Sequence, residues 1–183
     1  MQIRLLSALL LALSLTAPAI AGNRGRPIVT SASAGGGKYT VISASGDAAE
    51  MIFGYGAVVT RNGRARGHLL HIGTFQGETI EFHGEVTCLA VDSENHRAWV
   101  GGVITKNRST HPTYRDSVWA QPGEDIWFRV LDADAAGMGE PDLTTFIGFE
   151  GAIPSSEAYC NDRIWPDGNA RTWSVQGNVV VKP

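Results

Sequence analysis

Apolar residues in this chain recur at every second position rather than every third and fourth, and that period limits the chain to extended structure. From Thr79 to Val91, Ile80, Phe82, Val86, Cys88 and Ala90 fall on one side, and Glu81, His83, Glu85 and Thr87 on the other. Leu89 and Val91 make the second side apolar as well, so the far end is expected to be covered on both faces or bent at Gly84. Met51, Phe53, Tyr55, Ala57 and Val59 share a face in the same way, and Gly54 and Gly56 between them leave space for something to approach. Outside the first residues, no stretch of a dozen carries apolar positions at helical spacing, and glycine recurs too often for helices.

Turn chemistry divides the extended runs. Asn62-Gly63 accepts positive φ at both turn centres and predicts a tight hairpin. The strand over 64–74 loses alternation at Leu69-Leu70, which a bulge would explain. Gln76-Gly77 and Asp92-Ser93-Glu94-Asn95 supply further turns, and Gly101-Gly102 suits a sharply curved strand over 97–104. Residues 106–123 read as a long loop, 124–132 as strand and 133–141 as loop. Residues 143–149 pair next, and 173–181 close the sheet as one last strand. The fold class is all-β, an antiparallel meander of about eight strands forming a small barrel, with a two-sheet β-sandwich as the alternative.

The N-terminus has a different grammar. Arg4 precedes an apolar run from Leu5 to Leu15, Pro18 breaks it, and Ala19-Ile20-Ala21 offers small residues to a signal peptidase. Residues 1–21 therefore read as a signal peptide cleaved before Gly22. The run is too short for a membrane anchor, which needs about 20 apolar residues. Removing 21 residues from 183 leaves 162, enough for one core and one domain. Residues 22–35 have few large apolar side chains and are expected to form a flexible lead-in, with a single β domain over 36–183. The destination is the periplasm or the exterior, and no membrane span remains.

The whole chain carries a formal charge of −3, and removal of Arg4 makes it −4, so no nucleic-acid partner is expected. Export brings Cys88 and Cys160 into an oxidising compartment together, where an even count points to one disulfide, two buried thiols being the competing arrangement.

Gly35-Gly36-Gly37, Phe53-Gly54-Tyr55-Gly56, the run Phe82-His83-Gly84-Glu85-Val86-Thr87-Cys88-Leu89 and Ala98-Trp99-Val100-Gly101-Gly102 together give the chain a recognisable pattern. It resembles a group of uncharacterised secreted bacterial proteins built on one small β domain. The resemblance implies export and a β core, and it carries no activity, ligand or catalytic residue.

Candidate chemistry is sparse. In the loop from Asp132 to Asp142, the acids Asp132, Asp134 and Asp142 could offer oxygens to calcium, but Ala136 and Leu143 stand where an EF-hand needs ligands. An acidic turn facing water is the competing reading, and no other cofactor is implied. His68 and His71 lie three apart, on opposite sides of a strand, so they could share zinc only across a bulge and with help from His83. His83 between Glu81 and Glu85 is the one polar centre available for ligand contact or acid–base work. Trp119 and Trp165, in loop-like stretches beside Pro122 and Pro166, are the aromatic candidates for a binding surface. No nucleophile elbow, Walker loop or His-Glu-x-x-His motif occurs. The function expected is a non-catalytic binding module for a small molecule, glycan or surface protein. The alternatives are a secreted hydrolase with dispersed catalytic residues and a structural component of an extracellular assembly.

Overall fold

The computed structural model describes residues 29–43, 46–148 and 153–183. The expected signal peptide over 1–21 and the first half of the expected lead-in lie outside the described residues. Nine strands follow in chain order: β1 (Val29–Ile42), β2 (Ala48–Thr60), β3 (Ala65–Phe75), β4 (Glu78–Asp92), β5 (Arg97–Asn107), β6 (Asp125–Leu131), β7 (Leu143–Thr144), β8 (Trp173–Ser174) and β9 (Gln176–Lys182). A single helical turn, α1 (Pro112–Arg115), lies between β5 and β6, and α2 (Ser156–Asp162) lies between β7 and β8. Each strand from β1 to β7 pairs antiparallel with the next, and β9 lies antiparallel against β1, giving the order β8-β7-β6-β5-β4-β3-β2-β1-β9. The result is an all-β, nearly closed small barrel rather than a sandwich.

Closure follows from the two edge strands. Only Val175 separates β8 from β9, yet these strands stand at opposite ends of the sheet. One residue can bridge both edges only if they abut. The single strand expected over 173–181 is therefore two, split at Val175, whose buried N–H donates to the Asp142 carbonyl at 2.8 Å. The free edge of β9 is met by side chains instead of a ladder. Val179 N–H donates to Asp142 Oδ2 at 2.6 Å, and Val181 N–H to Asp132 Oδ2 at 3.1 Å. The remaining oxygens fasten the preceding loop: Ala133 N–H donates to Asp142 Oδ1 at 2.8 Å and Ala135 N–H to Asp132 Oδ1 at 2.9 Å.

Several local expectations change. β1 begins at Val29 instead of near Gly36, because this segment gains ladder partners from β2 and, from Ala32 on, from β9. Its lack of bulk is required by that squeeze. A Cβ on Gly35 would sit 2.5 Å from the Asn178 carbonyl oxygen, and one on Gly37 would sit 2.6 Å from Val175 Cγ1. At the β2–β3 hairpin only Gly63 has positive φ (77°), and the turn with two positive centres is Gln76 (52°) and Gly77 (82°). β3 pairs with both neighbours without a bulge; Leu70 and Ile72 simply face out of the barrel, half-buried.

The bulges lie in the β4–β5 pair: Thr105 of β5 is the extra residue opposite His83 and Gly84, and Thr87 of β4 is the extra residue between Val86 and Cys88. Past the second, the faces exchange. Leu89 and Val91 pack on the barrel core, while Cys88 and Ala90 turn outward to a second cluster of Trp99, Trp127, Tyr159 and Cys160. The double coverage expected for this end is thus supplied by α2. Seven residues are too few to announce a helix by periodicity. α2 is held instead by its Ser155 cap, which accepts from Ala158 N–H at 3.1 Å, and by the Cys88–Cys160 disulfide. That bond spans 72 residues and constrains the unfolded chain by about 4 kcal/mol.

Inside the barrel, Phe53, Tyr55, His71 and Phe128 stack with ring centroids 5.0–6.2 Å apart. His71 is fully buried; Nδ1 lies 3.3 Å from the Tyr39 hydroxyl and Nε2 has no partner among the described residues. Burial pushes its pKa down to about 3. The unfolded chain therefore binds a proton that the folded chain refuses. The stabilising difference is complete above the ordinary histidine value of about 6.5 and is lost as pH falls toward 3.

Two measurements check this account. Asp142→Ala leaves the N–H groups of Ala133 and Val179 without acceptors, each worth about 1–3 kcal/mol, so urea melts should show a loss of about 2–6 kcal/mol, with Asp142→Asn losing less. Between pH 7 and 4.5 the wild type should lose about 3 kcal/mol more stability than His71→Leu, and equal losses would remove His71 from the acid response.

Candidate ligand-binding trough

The outer wall of the barrel carries a trough of about 450 Å³ across β2 to β5. Its shape begins with two missing side chains. Gly54 and Gly56 point out of the wall between the inward Phe53, Tyr55 and Ala57, and a Cβ built on either meets nothing within 4 Å. Register then sets the lining. Gly54 lies opposite Leu70, which lies opposite His83; Gly56 lies opposite His68, which lies opposite Glu85. Thr105 and Lys106 of β5 complete the rim. The trough thus combines a backbone-and-leucine floor with two imidazoles and a cation at its edge.

His83 is held within this rim. Its Nε2 donates to Glu81 Oε1 at 2.8 Å, and Arg108 Nη1 lies 3.6 Å from the same oxygen. The Thr105 hydroxyl donates to the His83 carbonyl at 3.2 Å. His68 is exposed on the same side of the sheet, whereas His71 points into the core. With no bulge in β3, the zinc set of His68, His71 and His83 is not assembled. Among the described residues no group of three or more His, Cys, Asp or Glu could hold a metal.

The other sequence candidates lie elsewhere. Asp132 and Asp142 are buried at the barrel seam with both oxygens engaged by backbone N–H groups, while Asp134 is exposed. Trp119 stands in the connection between β5 and β6, edge-on to Tyr114 at 5.9 Å and half-buried against the core. That connection is ordered: Asn107 Nδ2 donates to the carbonyls of Tyr114 and Ala120, each at 2.8 Å. Trp165 lies edge-on to Trp99 at 5.8 Å, and its indole N–H donates to Asn169 Oδ1 at 2.8 Å. His83, Trp119 and Trp165 therefore occupy three separate clusters. Sequence reasoning passed over Leu70 and Lys106, whose role depends on neighbours in other strands; only the outward glycines Gly54 and Gly56 signalled an open surface.

Comparison with known families, curated proteins and solved structures returns no match. No helix among the described residues is long and apolar enough to cross a membrane.

Because Asp132 and Asp142 are committed to the seam, millimolar calcium or a chelator should leave the melting temperature of the mature protein unchanged. A saturable calcium-dependent rise would return the acidic loop to the list of metal sites.

Proposed function

We propose that the protein is an exported, non-catalytic binding module whose ligand, a small molecule or glycan, lies in the trough over Gly54 and Gly56. The single observation carrying this reading is the open space above these two glycines, beside an apolar floor and the imidazoles of His68 and His83. A sugar ring has the matching chemistry: an apolar C–H face for Leu70 and hydroxyl edges for the imidazoles and Lys106. The leader over residues 1–21, the Cys88–Cys160 disulfide and the resemblance to secreted bacterial β domains support export. A surface loop of another protein is the remaining occupant compatible with such a trough.

A secreted hydrolase is the second reading, favoured by one observation, the 2.8 Å pair of His83 and Glu81. A histidine oriented by a carboxylate can relay protons, as general acid–base chemistry requires.

The test fills the trough without touching the fold. Gly54→Val with Gly56→Val places β-branched side chains into open space on a strand, so the melting temperature should hold or rise. On a glycan array the wild type should bind a defined subset, and the double variant should lose at least ten-fold in affinity. Equal binding by both proteins would remove the trough from the binding function. Turnover of a bound glycan, abolished by His83→Gln, would favour the hydrolase.

A further inference from the structure

On the wall formed by β5 and β6, two guanidinium groups gather at one indole. Arg97 Cζ lies 4.7 Å and Arg129 Cζ 5.1 Å from the Trp165 ring. Arg129 is only 8% exposed, and Arg97 and Trp165 are half-buried. Arg129 Nη2 donates to the Ala170 carbonyl at 2.8 Å, and Tyr159 is its second hydrogen-bond partner. Both partners are neutral, because burial pushes the Tyr159 hydroxyl up to about 12. The Nε atoms of both arginines are buried without a partner among the described residues. Among the described residues, neither arginine forms an ion pair.

The nearest acid on the ladder, Asp92, pairs across it with Arg97 and feels its charge, but both of its oxygens are bonded to Asn95. Trp165 offsets part of the burial cost through the attraction of its ring for the two cations. Among the described residues, that leaves a buried guanidinium with no countercharge beside a second one, an arrangement that is costly until an anion joins it.

We propose that Arg97, Arg129 and Trp165 form an oxyanion site that takes the phosphoryl or carboxylate group of a small molecule, entering from the half-exposed Arg97 side. Guanidinium groups match paired oxygens through parallel N–H donors, and an incoming oxyanion supplies the acceptors that the two Nε–H groups lack. The site shares no residue with the trough, so it stands or falls independently of the reading given there.

Thermal melts and tryptophan fluorescence of the mature protein test it, with sodium phosphate and sodium acetate titrated separately at ionic strength held constant with chloride. The expected result is a saturable rise in melting temperature with one or both anions, and an affinity at least ten-fold weaker in Arg97→Gln. Phosphate alone acting assigns a tetrahedral group, and acetate alone a planar one. Arg129→Met, which replaces the buried charge by an apolar chain, supplies the same comparison should Arg97→Gln not fold. Absence of a saturable shift in the wild type, or an equal shift in the wild type and the folded variant, would overturn the proposal.

Discussion

The barrel depends on how the last strand is received at its free edge. A sheet of nine strands in meander order leaves two edges, and unpaired N–H groups at a buried edge are among the most expensive features a fold can carry. Here the carboxylates of Asp132 and Asp142 accept the N–H groups of Val181 and Val179, and the Asp142 carbonyl accepts that of Val175. Two side chains thereby do what a tenth strand would do. The same two aspartates bind the N–H groups of Ala133 and Ala135, so the loop that presents them is held by the groups it presents.

Closure has consequences on both faces of the wall. Inside, it dries a core in which Phe53, Tyr55, His71 and Phe128 are packed ring against ring, and it forces His71 to stay neutral. Outside, it divides the surface. The end of β4 and the middle of β5 and β6 are covered by α2, admitted where Gly101 leaves room: a Cβ there would lie 2.6 Å from Cys88 Sγ and 2.8 Å from Ser156 Cβ. The wall of β2 and β3 is left open, with Ile52 48% exposed beside the glycine trough. This uncovered strip is the surface on which the proposed binding function rests, whereas the α2 side is a second small core.

The cationic cluster at Trp165 belongs to neither region. It sits where the outer faces of β5 and β6 emerge beside the α2 cluster, and it departs from the economy of the rest of the molecule. Several buried polar groups elsewhere are paired, Ser33 with Tyr55 at 2.6 Å and Asp142 with three N–H groups by side chain and main chain, while His71 Nε2 and His111 Nδ1 have no partner among the described residues. Two arginines without a carboxylate partner among the described residues mark a place where packing alone gives an incomplete account.

Local pattern determined the strands themselves. The period of two in Met51–Val59 and Ile80–Phe82, together with the Gln76-Gly77 turn, is enforced by the alternation of side chains along any extended backbone, so it could be read without a partner in view. The expectation of export and the even count of cysteines pointed to the Cys88–Cys160 pair, with two buried thiols as the competing arrangement, and the disulfide is present. What only the tertiary structure decided were relations between strands. The split at Val175, the strand at Val29–Gly35, the bulges of the β4–β5 pair and the use of Asp132 and Asp142 as seam acceptors each depend on which backbone arrives alongside. Nothing local in Asp132-Ala133-Asp134 distinguishes a carboxylate waiting for calcium from one waiting for the N–H of a strand about fifty residues later. The meeting of Gly56 with His68, and of Arg97 and Arg129 with Trp165, is likewise set by register and by the loop folded over the sheet, and neither exists until the barrel closes.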